Sequence, residues 1–567
     1  MPELADKSDV VIIGGVAAGP KTAATLARRL PGARITLFQK EKHLSYAKCG
    51  FPFLASGELG SFDALVQTSY GVARDSGFFQ SSKGFKTVTS AEVTQINRGK
   101  KTVSVRMCET GETFEHGYGR LVIATGSIPN RPPIPMPQSD RVRPFSSPAD
   151  VTGFRDLAQR GEIDNVVIIG GGFIGVELCE AVGEMWGIGV KLFEKQPQLL
   201  PYMLDPEMAA IVQRSLAVQG VDALVDVEVE KVELDSQGKP VVFVKGREPT
   251  PADYVFLCLG VHPEGRLARE SGLDVSENGA IRVDSALRTS DPDIFAGGDC
   301  IESVHRITKQ PIYMPMGSLA NRHGRVIAEN LAGASVEFPG VVGAFVLRAF
   351  ELNIGGVGLS EQTARGAGLE SWSVWGSFPD RPDYNPEAKT LTLKMVYEQK
   401  TNRLLGLQAV GRGDICRRID VFSALLHGEK AVEDLMDFEH GYAPPFAEAL
   451  DPLHHMAAIA MTRERGVTFV SPDFVHAPVD RDTLVLDVRE DEESASAPLP
   501  SEISKVFGEA LHIPLGQLRE RLHEVDRNRR ILTICQRGVR SYQAALILQT
   551  AGFEDVHILS AGLQAQT

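Results

Sequence analysis

The chain carries the same local unit twice. "DVVIIGGVAAGPKTAATLARR", beginning at Asp9, and "NVVIIGGGFIGVELCEAVGEMW", beginning at Asn165, each place a buried apolar strand before a glycine turn and a helical run. Each is followed by a second strand, "ARITLFQK" and "GVKLFEK", at the spacing of a βαβ crossover. Two dinucleotide sites are implied, and with them an α/β fold. The first unit runs to a proline-rich break, "SIPNRPPIPMP", and the second closes near "YVFLCLGVHPEG". The later segment "IRVDSALRTSDPDIFAGGDC" reads as a return to the first domain, which makes the second unit an insertion.

From about residue 336 the pattern changes to alternating strands, "GAFVLRAFELNIGGVG" and "LTLKMVYEQKTNRLLGLQAVG", with helical runs to residue 460, as in a separate α+β domain. A last block opens after "TRERGVTFVSPDFVHAP" and alternates strands "TLVLDVRE" and "ILTIC" with a helix in "SYQAALILQTAG". The expected boundaries are 1–150 and 281–335 for the first nucleotide domain, 151–280 for the second, 336–462 for the α+β domain and 463–567 for the last block. A length of 567 residues accommodates this many domains.

Composition narrows the function classes. A formal charge of −14 exerts no pull toward nucleic acid or anionic lipid. The longest apolar runs, such as "VVIIGG", fall far short of the about 18 residues a membrane helix needs. The start "MPELADKSDVVIIGG" enters a strand without a basic flank and apolar signal core, so a cytoplasmic location is expected. Seven cysteines, none at CxxC spacing, argue against a disulfide framework and a zinc ribbon, and no metal is expected. A cysteine with a special role should then be a reactive one. Cys108, Cys179, Cys258, Cys300 and Cys416 read as small fillers.

In the second unit Gly170, Gly172 and Gly175 satisfy G-x-G-x-x-G, which lets a pyrophosphate approach the helix N-terminus. Glu194 ends the next strand, where a carboxylate accepts from ribose hydroxyls and repels a 2′-phosphate; this favours NADH, with NADPH left open by the adjacent Lys195. The first loop, "GGVAAG", has Val16 in place of the middle glycine, and Gln39 in place of an acid. Together with "LVIATGSIP" and "TSDPDIFAGGDC" it resembles the two-dinucleotide-binding-domain flavoprotein disulfide reductases over about the first 330 residues. That resemblance implies FAD on the first unit, held by Gly14, Gly15, Gly19, Gln39, Thr125, Gly126, Gly298 and Asp299.

"SYAKCGFPF" then becomes informative. Cys49 has no second cysteine near it, which excludes a local dithiol pair. Ser45, Tyr46, Cys49, Gly50 and Pro52 resemble the single-cysteine branch that includes coenzyme A disulfide reductases, NADH oxidases and peroxidases. The oxidases and peroxidases usually carry a histidine in the first glycine loop, and Ala17 stands there, which favours thiol chemistry. The run "HGYAPPFAEALDPLHH" is similar to the coenzyme A disulfide reductase segment whose tyrosine serves the other subunit's cysteine. The resemblance implies a homodimer with Tyr442 in that role, and Tyr384 of "RPDYNPEA" as a second tyrosine in a pattern interrupted by Asn385. Lys48 replaces the usual asparagine; with Ser45 it is expected on the substrate side, where it would favour a thiolate.

Near the C-terminus, "ILTICQRGVRSYQAALIL" ends a strand at Cys535, turns, and opens a helix, which makes an anion cradle of backbone amides to which Arg537 and Arg540 add positive charge. The run resembles the active-site loop of rhodanese domains, supported by "LVLDVRE" and "HIPLGQL"; Asp487 and Arg489 should brace it. Four residues separate Cys535 from Arg540, against five in cysteine-dependent phosphatases.

The implied architecture is therefore two Rossmann-like dinucleotide-binding domains, an α+β dimerisation domain and a C-terminal α/β rhodanese domain. The implied activity is FAD-dependent reduction of persulfides or polysulfides, coenzyme A persulfide among them, by NADH or NADPH through Cys49, with Cys535 handling sulfane sulfur. The alternatives are a coenzyme A disulfide reductase or NADH oxidase with an accessory rhodanese domain, and a non-catalytic flavin redox sensor.

Overall fold

The computed structural model describes residues 7–463, 467–472, 483–507 and 510–566. The first six residues of the N-terminal segment, and residues 464–466 and 473–478 of the stretch that opens the last block, lie outside the described residues. Among the described residues no helix is long and apolar enough to cross a membrane, and no group of three or more His, Cys, Asp or Glu is placed to hold a metal ion. The chain divides into two compact units, 1–195 with 227–341, and 196–226 with 342–567.

In the first unit, strand Lys7–Ile13 is paired in parallel on both sides, with Ile35–Phe38 and with Thr113–Ile123. Its last four residues, Val10 to Ile13, are all buried, as a strand covered on both faces requires. Strand Ile294–Ala296 pairs in parallel with Thr113–Ile123, so the chain returns to this sheet after building another. That other sheet sets Asn165–Ile169 between Gly189–Phe193 and Tyr254–Leu257, with Val142–Pro144 beyond, all parallel. The two sheets repeat one arrangement: a central apolar strand ends at a glycine turn, from which a helix, Ala18–Arg29 or Phe173–Trp186, departs.

The second unit holds an antiparallel sheet in the order Phe345–Ala349, Leu352–Gly358, Leu404–Gly411, Thr390–Glu398, Ser371–Pro379. The stretch 196–226 is fastened to it by charge. Lys394, 1% exposed, lies 2.9 Å from Asp205, 3.0 Å from Glu361 and 3.2 Å from Glu207, and Gln408 exchanges two hydrogen bonds with Asp205. Burying an ammonium is costly unless carboxylates meet it, and here three do.

The same unit contains an all-parallel sheet, Thr468–Val470, Val556–Leu559, Ile531–Ile534, Leu484–Asp487, Ala510–His512. Alternate residues feed two cores: Leu484, Leu486 and Ile531 pack with Ala544 and Leu548 on one face, Val485, Leu532 and Ile534 with Ile503 on the other. Two-sided burial explains why these strands read as unbroken apolar runs. Beyond the end of Leu484–Asp487, the buried Arg489 forms an ion pair with Asp487 at 2.7 Å and donates to the Ala497 carbonyl.

Candidate active site

The two glycine turns are near copies. Gly14 has φ +109° and Gly170 φ +111°; a Cβ on either would lie 2.0 or 2.3 Å from a carbonyl of the neighbouring strand end, Ala124 or Cys258. Cβ atoms at Gly19 and Gly175 would strike the carbonyls of Gly14 and Gly170 at 1.9 and 2.0 Å. These four glycines are demanded by the fold's own backbone. Gly172 is different: an added Cβ would meet nothing within 4 Å, so its bareness leaves open space at the start of helix Phe173–Trp186. Such a cradle fits a pyrophosphate on the helix N-terminus. The side chains that end the second strands also correspond. Gln39 accepts from the Gly15 amide at 2.7 Å, and Glu194 from the Gly171 amide at 2.6 Å.

Around the first turn the structure gathers most of the other expected residues of this unit. The Ser45 amide donates to the Gly15 carbonyl at 2.8 Å, with Ser45 in the left-handed region at φ 47°, which ties the Cys49 segment to the glycine loop. Thr125 donates to the Glu264 carbonyl at 2.6 Å, holding the turn that contains Gly126. Asp299, next to Gly298, accepts from Ser127 at 3.3 Å, and burial pushes its carboxyl up. A half-buried carboxylate with acceptor capacity left suits the hydroxyls of a polyol chain.

Cys49 sits in a short 3-10 turn, Lys48–Gly50, that runs into helix Phe51–Ala55. Tyr46 and Phe51 stack nearly parallel with ring centres 6.0 Å apart, and the Tyr46 hydroxyl donates to Glu41 at 2.8 Å, which fixes the chain on both sides of the thiol. A Cβ built on Gly317 would lie 3.9 Å from the Cys49 Sγ, so the thiol faces the first turn of helix Gly317–Leu331. The thiol is held up by desolvation, then by the Glu177 and Asp299 carboxylates; exposed Lys48 opposes this by a smaller amount. Glu177, on helix Phe173–Trp186, is itself pushed up to about 7 by burial and by Glu180. The sequence reading missed Glu177, which is one of several acids on an ordinary amphipathic helix.

In the last block Cys535 is 1% exposed, and its Sγ accepts from the amides of Gly538 at 3.1 Å and Ser541 at 3.4 Å. The turn is closed from the C-terminal side by the Leu563 and Gln564 amides, which donate to the carbonyls of Cys535 and Gln536. Both arginines are already paired. Arg540 makes two bonds to Glu493, one of 2.7 Å, and holds that carboxyl down at about 2. Arg537 makes two bonds to Asp383, at 2.8 and 3.0 Å.

Tyr384 and Tyr442 stand on exposed loops of the second unit, 75% and 53% exposed. Asn385, the residue that interrupts the tyrosine pattern, donates to the Pro444 carbonyl at 3.2 Å and so links the two loops. All seven cysteines are free. The filler reading holds for Cys179, Cys258 and Cys300, which are buried, but not for Cys108 and Cys416, which are exposed. The charged residues that directly follow them, Glu109 and Arg417, were the signal in the sequence that these two face solvent.

The profile of the pyridine nucleotide-disulphide oxidoreductases matches residues 8–316, and that of the same family's dimerisation domain matches 347–454. The chain belongs to the pyridine nucleotide-disulphide oxidoreductases. A rhodanese-like domain profile matches residues 471–566. The NAD(P)H coenzyme A polysulfide/persulfide reductase of Pyrococcus horikoshii is 32% identical over 80% of this chain and 98% of its own length. Among solved structures, a NAD-dependent persulfide reductase from A. fulgidus is 35% identical with a TM-score of 0.92, covering 98% of this chain and all of that one. The reduced CoADR-RHD of Bacillus anthracis is 29% identical with a TM-score of 0.89, covering 99% of this chain and 97% of its own.

As a pyridine nucleotide-disulphide oxidoreductase the chain is a flavoprotein that uses FAD and NAD(P)H, in the group of coenzyme A disulfide and persulfide reductases that carry a rhodanese domain. The dimerisation-domain match points to a homodimer.

Proposed function

We propose that this oxidoreductase reduces persulfides and polysulfides, coenzyme A persulfide foremost, to thiol and sulfide. The observation that carries the reading is the pairing, in one chain, of a flavin-side thiol that has no cysteine partner with a second thiol under two backbone amides. A solitary Cys49 suits a substrate that brings its own second sulfur, and an amide cradle suits a persulfide anion on Cys535.

NAD(P)H and FAD, when bound, supply the hydride and electron pair that the sulfur chemistry consumes. Gly170, Gly172, Gly175 and Glu194 hold the nicotinamide dinucleotide, and Gly14, Gly15, Gly19, Gln39, Thr125, Gly126, Gly298 and Asp299 hold the flavin. The coenzyme is NADH: Glu194 is buried beside its loop, and the neighbouring Lys195 is engaged by Glu228 at 2.9 Å, leaving less cation for a 2′-phosphate. The Cys49 thiolate attacks the outer sulfur of the persulfide; a bond forms between the two sulfurs, the substrate S–S bond breaks, and the thiol leaves with that electron pair. Tyr442 of the dimer's second subunit, supported by Tyr384, protonates the leaving thiolate, while Ser45 and Lys48 face the incoming substrate. Two electrons then release sulfide and restore the Cys49 thiolate. Cys535, flanked by Arg537 and Arg540, takes up sulfane sulfur and passes it on.

The test is anaerobic NADH oxidation by the holoenzyme with coenzyme A persulfide and, separately, coenzyme A disulfide, with sulfide quantified. Faster turnover with stoichiometric sulfide from the persulfide is expected. Preference for the disulfide without sulfide would instead make the chain a disulfide reductase with an accessory sulfur domain.

A further inference from the structure

The residue that pairs with Arg537 does not come from the rhodanese block. Asp383 belongs to the loop after strand Ser371–Pro379, beside Tyr384, and it covers the Arg537 guanidinium with both carboxylate oxygens at 2.8 and 3.0 Å. Two further ties join the C-terminal end of the rhodanese block to other elements of the second unit: Gln564 donates to the Thr390 hydroxyl at 3.2 Å, and Arg214 donates to the Ala565 carbonyl at 2.9 Å. Leu563 and Gln564 are the residues whose amides close the Cys535 turn, so the turn and Arg537 are both held from outside the rhodanese sheet.

The charges around Cys535 consequently differ from those its own loop advertises. Arg537 is met by Asp383, with Glu448 in electrostatic reach of the pair; Arg540 is met by Glu493, with Glu490 at 3.8 Å. Two cations face four carboxylates. A dianionic sulfur donor approaching Cys535 has to displace a bidentate carboxylate before an arginine can bind its oxygens. A sulfane sulfur carried on a thiol needs only the two amides that already point at the cysteine.

We infer that Asp383 is a specificity-determining residue of the sulfur-carrying site: by occupying Arg537 it disfavours inorganic oxyanion donors such as thiosulfate and reserves Cys535 for sulfane sulfur bound to a thiol. The inference rests on the proposed role of Cys535 as a sulfur carrier. With thiosulfate the step is attack of the Cys535 thiolate on the outer sulfur; the new S–S bond forms as the sulfur–sulfonate bond breaks, and sulfite leaves with the electron pair. With a thiol persulfide the leaving group is the thiolate.

The experiment loads the full-length flavin-bound protein with thiosulfate and with glutathione persulfide and compares second-order rates of one-sulfur gain at Cys535 by mass spectrometry. In Asp383→Asn the ratio of thiosulfate to persulfide rates should rise about fivefold, the scale of freeing one exposed arginine for an anion. Asp383→Glu, which keeps the charge, should return the ratio toward that of the native chain. A ratio unchanged in Asp383→Asn, with Cys535 still loading from the persulfide, overturns the specificity role and leaves the carrier role standing. Failure of the native protein to load from either donor overturns both.

Discussion

Cys49 and Cys535 are both single thiols in a turn that leads into a helix, and their surroundings are opposite. Cys49 belongs to an exposed turn, yet desolvation of its thiol, and after it the Glu177 and Asp299 carboxylates, hold that thiol up against one lysine. Cys535 is buried and receives two amide hydrogen bonds, while its arginines are engaged by carboxylates. The first environment suits a nucleophile whose reactivity is set by what binds beside it. The second is preorganised to stabilise an anion through two backbone amides, with the charge of Arg540 shared between the thiol and Glu493. A thiol's role is thus read from its neighbours as well as from its solitude.

The comparison breaks first at Cys49. Cys49→Ser should lower sulfur-dependent NADH oxidation by about a thousandfold or more, as loss of a covalent nucleophile does, with bound flavin retained in the absorbance spectrum. Full activity in that variant would remove Cys49 from the chemistry. Cys535→Ser should act unequally, slowing sulfane-bearing acceptors by about tenfold and coenzyme A disulfide much less; equal losses on both would point to a folding defect.

A smaller effect sharpens the contrast at neutral pH. Glu177 has a folded value near 7 against 4.5 for a free glutamate. Its folded form therefore binds the proton more tightly, so the associated stability is full below about pH 4.5 and is lost as pH rises through 7, a change of about 3 kcal/mol at most. Glu177→Gln should flatten that part of the stability curve. It should also lower the pH midpoint for alkylation of Cys49 by iodoacetamide, because an ionised Glu177 opposes the thiolate. An unmoved midpoint would mean that desolvation alone holds the thiol up.

The smallest expected effect lies beside Cys535. Glu493 is held down at about 2 by Arg540, so its contribution is present above pH 4.5 and is lost as pH falls toward 2. The pair is partly exposed, at 25% and 39%, and screening limits the contribution to about 1 kcal/mol or less. Acid unfolding of Glu493→Gln should lack this component. Identical acid limbs in the two proteins would show that the pair adds nothing to stability.

Much of the architecture was open to a reader of the sequence. The two strand–glycine–helix units, the return through "TSDPDIFAGGDC" and the apolar strands around Cys535 are patterns of neighbouring residues, and local backbone sterics turn them into strand, turn and helix. Even the parallel between Gln39 and Glu194, each ending a second strand, could be read before their matching amide bonds were seen. The attachment of 196–226 could not, since it rests on Asp205, Lys394 and Gln408 meeting across about two hundred residues of chain.

The charged surroundings of the two cysteines fall on the same side of that line. Sequence alone determined that this chain has two strand–glycine–helix turns, a solitary Cys49 and a Cys535 in an amide loop, because each is written in a contiguous stretch whose conformation its own residues dictate. Only the tertiary structure decided that Glu177 acts on Cys49 and that Asp383 covers Arg537, pairings that join segments far apart in the chain. Coulomb interaction depends on distance in space, and at the surface of a folded protein that distance is set by packing and not by order along the chain.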